Sequence, residues 1–159
     1  MTKLVTVVSR RLIPVPAAQA RAAVWEIPNI ERTEVKADAV CVTKESPTVG
    51  SYTVRGHFAG LPWRGEFTYE LHEQGFHSEN VPKPGQGSTV SGGFVVEEIS
   101  DDECLVVHYE QYRLPWYYRP LRAGIVAYLR YSMRRELRDL ERILVEETGG
   151  AAPFSAAAW

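Results

Sequence analysis

The chain reads as an α+β protein in which a curved antiparallel sheet of six to seven strands wraps one long C-terminal helix. Two patterns predict this. Between residues 37 and 114, apolar and polar residues alternate with period two, in runs separated by Gly, Pro and Asp turns. From about Pro120 to Glu147 the period lengthens. Leu121, Ile125, Leu129, Met133, Leu137, Leu140 and Leu144 recur at steps of four and three along one stripe. At 1.5 Å per residue that helix is about 40 Å long, enough to cross a domain. The 159 residues fit one domain, and 45% hydrophobic with 24% charged residues excludes a disordered chain, a collagen-like fibre and a coiled coil.

The elements follow in order. Leu4 to Ile13 alternates and is rich in Val, so it reads as a strand, ended by Pro14 and Pro16. Ala17 to Trp25 is a strong helix former, and Pro16 suits the start, where its missing N–H costs nothing. Pro28-Asn29 breaks it, and residues 30–35 give a second short helix. Strands follow over 37–45, 51–59, 63–73 and 76–81. In the third of these, Phe67, Tyr69 and Leu71 face one way and Glu66, Thr68, Glu70 and His72 the other, as in a sheet with one wet face. Residues 82–87 form a loop. Residues 88–99 and 103–114 form a hairpin about Asp101-Asp102. Residues 115–120 link to the long helix, which Gly149-Gly150 stops. The domain therefore spans 1–148, with a loose tail over 149–159.

Lys+Arg 18 against Asp+Glu 20 leaves a net charge of -2, unlike the strongly basic footprint of a nucleic-acid-binding domain. The charge is uneven: from Arg113 to Arg142 there are eight arginines and three acids. A solvated helix face explains this, and a surface for anionic lipid or an acidic partner is the sharper reading. Cys41 and Cys104 have no neighbour at metal-ligand spacing and read as reduced, buried, small apolar residues, which fits a cytoplasmic protein. The N-terminal apolar run is too short for a signal peptide, and no run of about 18 apolar residues exists to span a membrane.

Val15 to Ala20 after strand one, the phrase from His108 to Pro115, and the closing Met133 to Leu140 resemble the START-like (SRPBCC, Bet v 1-like) helix-grip superfamily. Within it they are most similar to the polyketide cyclase/dehydrase and lipid-transport group. The likeness covers nearly all of residues 4–146 and is one of element order, not of a catalytic signature. It implies an apolar cavity between sheet and helix that binds a lipid, polyketide or isoprenoid. Where that group often carries an aromatic residue past the second helix, this chain has Glu31-Arg32-Thr33.

Ligand contacts are expected from Tyr52, Phe58, Phe67, Tyr69, Phe94, Tyr109, Tyr112 and Tyr128, although rings at regular spacing also simply pack a core. A polyketide cyclase or dehydratase is the alternative, with His108 and Glu110 as its acid–base pair and Tyr112 or Tyr69 orienting substrate. The hairpin decides whether they reach the interior. A two-residue Asp101-Asp102 turn pairs Val96 with Val107 and Phe94 with Tyr109, which leaves His108 and Glu110 in water; this is the preferred arrangement. A three-residue loop instead turns them inward, because a slip of one residue flips every side chain. His57, His72 and His77 read as exposed without metal-ligand spacing, so neither a metal nor another cofactor is expected. Residues 116–122 are aromatic and basic. They suit packing over one end of the barrel, and alternatively transient membrane contact. The arginine-rich helix face leaves docking of a second copy open.

Overall fold

A computed structural model describes residues 3–83 and 88–149. The tail expected from residue 149 lies, from residue 150 on, outside them, as does most of the expected 82–87 loop. β1 (Lys3–Ile13) is followed by α1 (Ala17–Trp25), a 3-10 turn (Ile27–Asn29) and α2 (Ile30–Thr33). Six strands follow: β2 (Ala39–Lys44), β3 (Val49–Phe58), β4 (Leu61–His72), β5 (Gly75–Asn80), β6 (Thr89–Ser100) and β7 (Glu103–Leu114). A 3-10 segment (Trp116–Leu121) leads into α3 (Arg122–Gly149). All pairs in the seven-stranded sheet are antiparallel, in the order β1-β7-β6-β5-β4-β3-β2. β1 and β2 are its free edges.

The long helix lies across the concave face. Leu137, Leu140 and Leu144 pack with Ile13, Val24, Ile27, Val96 and Val106, so α1 and the following turns close one end. Leu129 and Met133 pack with Val5, Val7 and Tyr112 nearer the other end. Full burial of each such aliphatic side chain contributes roughly 1.5–3 kcal/mol. The stripe begins later than its spacing suggested: Leu121 belongs to the 3-10 segment and is exposed. The linker expected over 115–120 is that 3-10 segment. Its rings do not pack over the barrel. Trp116 is 73% and Tyr117 58% exposed; the two rings meet edge-on, and Tyr117 tilts against Tyr118.

The hairpin corrects the preferred reading of strand seven. Ser100 pairs with Glu103, so the two-residue Asp101-Asp102 turn is present. A bulge then follows, because Glu98 pairs with Cys104 and Ile99 is left over. Beyond it Val96 faces Val106 and Phe94 faces His108. One extra residue inverts the strand, as period-two geometry requires. Cys104, Val106, His108, Glu110 and Tyr112 are buried, while Tyr109 is turned to the outer face.

The β3–β4 connection is also two residues, Ala59-Gly60, between the paired Phe58 and Leu61. Both have positive φ, 50° and 82°, the signature of a type I′ turn. Alanine adopts this conformation at a cost that asparagine largely avoids. Ala59→Asn is therefore expected to raise stability by about 0.5–1 kcal/mol, read as a higher urea midpoint with an unchanged m-value.

Candidate functional site

The bulge brings a polar cluster into the interior. His108 and Glu110 project inward from β7, Lys36 from the segment between α2 and β2, and Glu136 from the middle of α3. Lys36 Nζ is 2.7 Å from Glu110 Oε1 and 3.5 Å from both Glu136 Oε1 and Glu34 Oε1. The side chains of Lys36 and Glu136 are only 3% and 1% exposed. Tyr112 donates its hydroxyl to Glu110 Oε2 at 2.8 Å. His108 lies between the carboxylates, with Nδ1 3.2 Å from Glu136 Oε2 and Nε2 3.8 Å from Glu110 Oε1. The 3.2 Å approach lacks hydrogen-bond geometry, so His108 Nδ1 and both Glu136 oxygens are buried without a hydrogen-bond partner.

Local structure delivers the lysine. The Trp63 indole N–H donates to the Lys36 carbonyl at 2.9 Å, and Asp38 N–H donates to the Arg55 carbonyl at 2.8 Å. Gly56 lies beneath this segment. A Cβ there would sit 1.8 Å from the Lys36 carbonyl oxygen, so only glycine lets the lysine backbone lie against β3. The aliphatic stem can then run inward with the ammonium among carboxylates.

Electrostatics follow from the dry setting. Burial would lower the Lys36 pKa, but Glu110, then Tyr112, Glu136 and Glu34, outweigh it and hold the ammonium well above its ordinary range. Burial would raise Glu136, and Lys36 together with His108 outweighs that, keeping its carboxyl below the usual value. Burial, reinforced by the Glu110 charge, pushes the Tyr112 phenol well up, so it stays a donor. Glu34, with 23% of its side chain exposed, is raised to about 7, mainly by desolvation.

The donor atoms of His108, Glu110 and Glu136 lie within 4.8 Å of one another, a spacing that suits a metal ion. The Lys36 ammonium already contacts both carboxylates and supplies the positive charge that a cation would bring.

The aromatic residues divide into groups. Tyr52 stacks on Phe67 at 5.1 Å and tilts against Tyr69 at 6.1 Å, and its hydroxyl donates to Ser78 Oγ at 3.1 Å. Phe94 stacks on the His108 ring at 4.1 Å and tilts against Phe76. Tyr112 joins the polar cluster. Phe58 and Tyr128 meet edge-on at 4.9 Å beside the Leu129–Met133 group. Tyr109 stands apart: its hydroxyl lies 2.8 Å from His77 Nδ1 on the outer face. Cys104 is buried as expected, whereas Cys41 is exposed.

Sequence reasoning missed Lys36, Glu34 and Glu136. Glu136 left one signal, an acid beside Leu137 and three residues after Met133, at the margin of the apolar stripe. Lys36 left none, because its burial depends on Gly56 twenty residues later.

The comparisons agree with the architecture. No family model matches the sequence, and no curated protein matches it. Solved structures do. A protein of Thermus thermophilus superposes with a TM-score of 0.77 at 14% identity, covering 91% of this chain and 99% of that one. The Zhui aromatase/cyclase of Streptomyces sp. R1128 gives 0.70 at 10% identity, covering 98% and 100%. A START superfamily protein of Mycobacterium smegmatis gives 0.68 at 9% identity, covering 89% and 98%. The chain therefore has the START-like helix-grip fold. No described helix is long and apolar enough to cross a membrane.

Two outcomes are expected. Gly56→Ala must displace the Lys36 carbonyl, costing about 1–3 kcal/mol as overpacking does, measurable by urea denaturation. Glu34, raised above its unfolded 4.5 to about 7, stabilises the fold in its protonated form. That contribution is complete below pH 4.5 and fades as pH rises through 7. Between pH 5 and 7.5, Glu34→Gln should thus lose less stability than the parent; equal losses would contradict this.

Proposed function

We propose that the chain binds an apolar, oxygen-bearing small molecule of polyketide, lipid or isoprenoid type between the sheet and α3. The buried Lys36–Glu110–Glu136–His108 cluster performs acid–base chemistry on it, as a cyclase or dehydratase requires. The observation that carries this reading is a trio of buried polar atoms without hydrogen bonds, His108 Nδ1 and the two Glu136 oxygens, held only by ion-pair approaches and set beside the Phe94 ring that stacks on His108. A buried polar atom without a partner costs about 1–3 kcal/mol, and a ligand hydroxyl or carbonyl placed there would recover it. That the superposable structures include an aromatase/cyclase and a norcoclaurine synthase from Thalictrum flavum, the latter with dopamine and hydroxybenzaldehyde, supports the choice of chemistry.

The roles follow from the charges. The Glu136 carboxylate takes a proton from the carbon beside a substrate carbonyl. The Lys36 ammonium stabilises the enolate oxygen that forms. Protonated His108 gives its proton to the departing hydroxyl, which leaves as water when the C–O bond breaks. The proton on Glu136 then returns to His108, whose Nδ1 lies 3.2 Å away, once the ring has turned into hydrogen-bond geometry, and the starting state is restored. Tyr52, Phe67, Tyr69 and Phe94 hold the apolar body of the substrate by ring contact. Phe58 and Tyr128 add a further apolar contact beside the Leu129–Met133 group. These side chains fill much of the interior, so entry requires α3 and β1 to part.

The test is native mass spectrometry against lipid and polyketide extracts, followed by turnover assays on whatever is retained. Glu136→Gln, close in shape, is expected to lower kcat by about 10²–10⁴-fold with little change in KM. Retention without any chemical change would reduce the function to binding. No retention of any apolar compound would defeat the reading altogether.

A further inference from the structure

Outside this interior, between the free edge of β1 and α3, runs an open groove of about 600 Å³. Val8, Ser9 and Leu137 line it together with Arg10, Arg11, Arg130, Arg134 and Arg138, and no acid does among the described residues. The acids nearby are engaged. Arg11 is paired with Glu141, and Asp139 with Arg135 and Arg142. Arg10, Arg130, Arg134 and Arg138 have no acidic partner among the described residues. The last three recur every four residues on exposed positions of α3, about 6 Å apart along its axis. The same three also wall an adjoining groove of about 630 Å³ with Ala127, Tyr131 and Arg135.

Like charges gathered without counter-ions repel one another, and a bound anion relieves that cost. Every cation here is arginine, whose planar fork matches phosphate oxygens in pairs. The groove is concave, which favours a group projecting into it over a flat surface laid across it. It also borders the interior site. Ser9 pairs with His108 across the β1–β7 ladder, and Leu137 follows Glu136 on the helix.

We propose that this groove binds a phosphate-bearing end of the substrate, so that the natural substrate is an apolar molecule carrying a phosphate ester. The position of the apolar body rests on the function proposed above; phosphate binding by the groove does not.

The experiment is calorimetric titration of the whole chain with octyl phosphate, octanol and inorganic pyrophosphate. Octyl phosphate is expected to bind at least tenfold more tightly than octanol, and pyrophosphate to bind alone. The Arg130→Ala/Arg134→Ala/Arg138→Ala variant should weaken both anions at least tenfold and leave octanol unchanged. The Arg55→Ala/Arg64→Ala variant, altered on the opposite side of the sheet order, should bind all three as the parent does. Equal affinity for octyl phosphate and octanol, or an unaltered triple variant, would overturn the proposal. So would binding only to vesicles of phosphatidic acid and phosphatidylcholine, which would make the surface a headgroup contact. Pyrophosphate bound through the groove with no affinity for octanol would sustain the groove and count against the interior site instead.

Discussion

One buried ammonium holds the centre of this molecule. Lys36 lies against Glu110 on β7 and Glu136 on α3, the two elements that the helix-grip arrangement must bring face to face. Carboxylates in a dry interior repel each other and are costly to desolvate, and the lysine makes their joint burial tolerable. Ion clusters of this kind seldom add net stability over an apolar core of equal volume.

The placement of that ammonium depends on sequence-distant detail. Gly56 and the Trp63 indole seat the Lys36 backbone, and the bulge at Ile99 turns His108 and Glu110 inward. Neither feature leaves a pattern that spacing reveals. The broad architecture was legible, because its signal is carried by many residues at once. Phe67, Tyr69 and Leu71 alternate strictly, and Leu129, Met133, Leu137, Leu140 and Leu144 keep helical spacing. A single residue out of step barely alters such a pattern, but it reverses which side chains of a strand meet the core.

The turn shows the distinction most clearly. Asp101-Asp102 is the two-residue connection that the sequence suggested, and the register deduced from it holds only for the Ser100–Glu103 pair. Past Ile99 the pairing shifts by one, so Tyr109 meets His77 outside and His108 meets Phe94 within. Tyr52, Phe67 and Tyr69 face the core as alternation suggested, because β3 and β4 lie away from the irregularity. Glu136 was overlooked because an acid near a leucine stripe ordinarily points to water.

The interior and the arginine groove can be understood together. Rings and the ion cluster occupy the space under α3, so a guest of the kind proposed above would have to enter by displacing packed groups, and displacement of close-packed atoms forfeits dispersion energy. Contacts made outside, before the helix and edge strand separate, would offset part of that loss. Guanidinium groups lining the β1–α3 seam stand where such early contacts would form, and β1 can yield there because its outer edge has no neighbouring strand. An anionic group captured in the seam would hold its apolar tail beside the point of opening, turning entry into an intramolecular step at high effective concentration. The uneven charge of the sequence and the filled core of the fold thereby acquire one physical explanation.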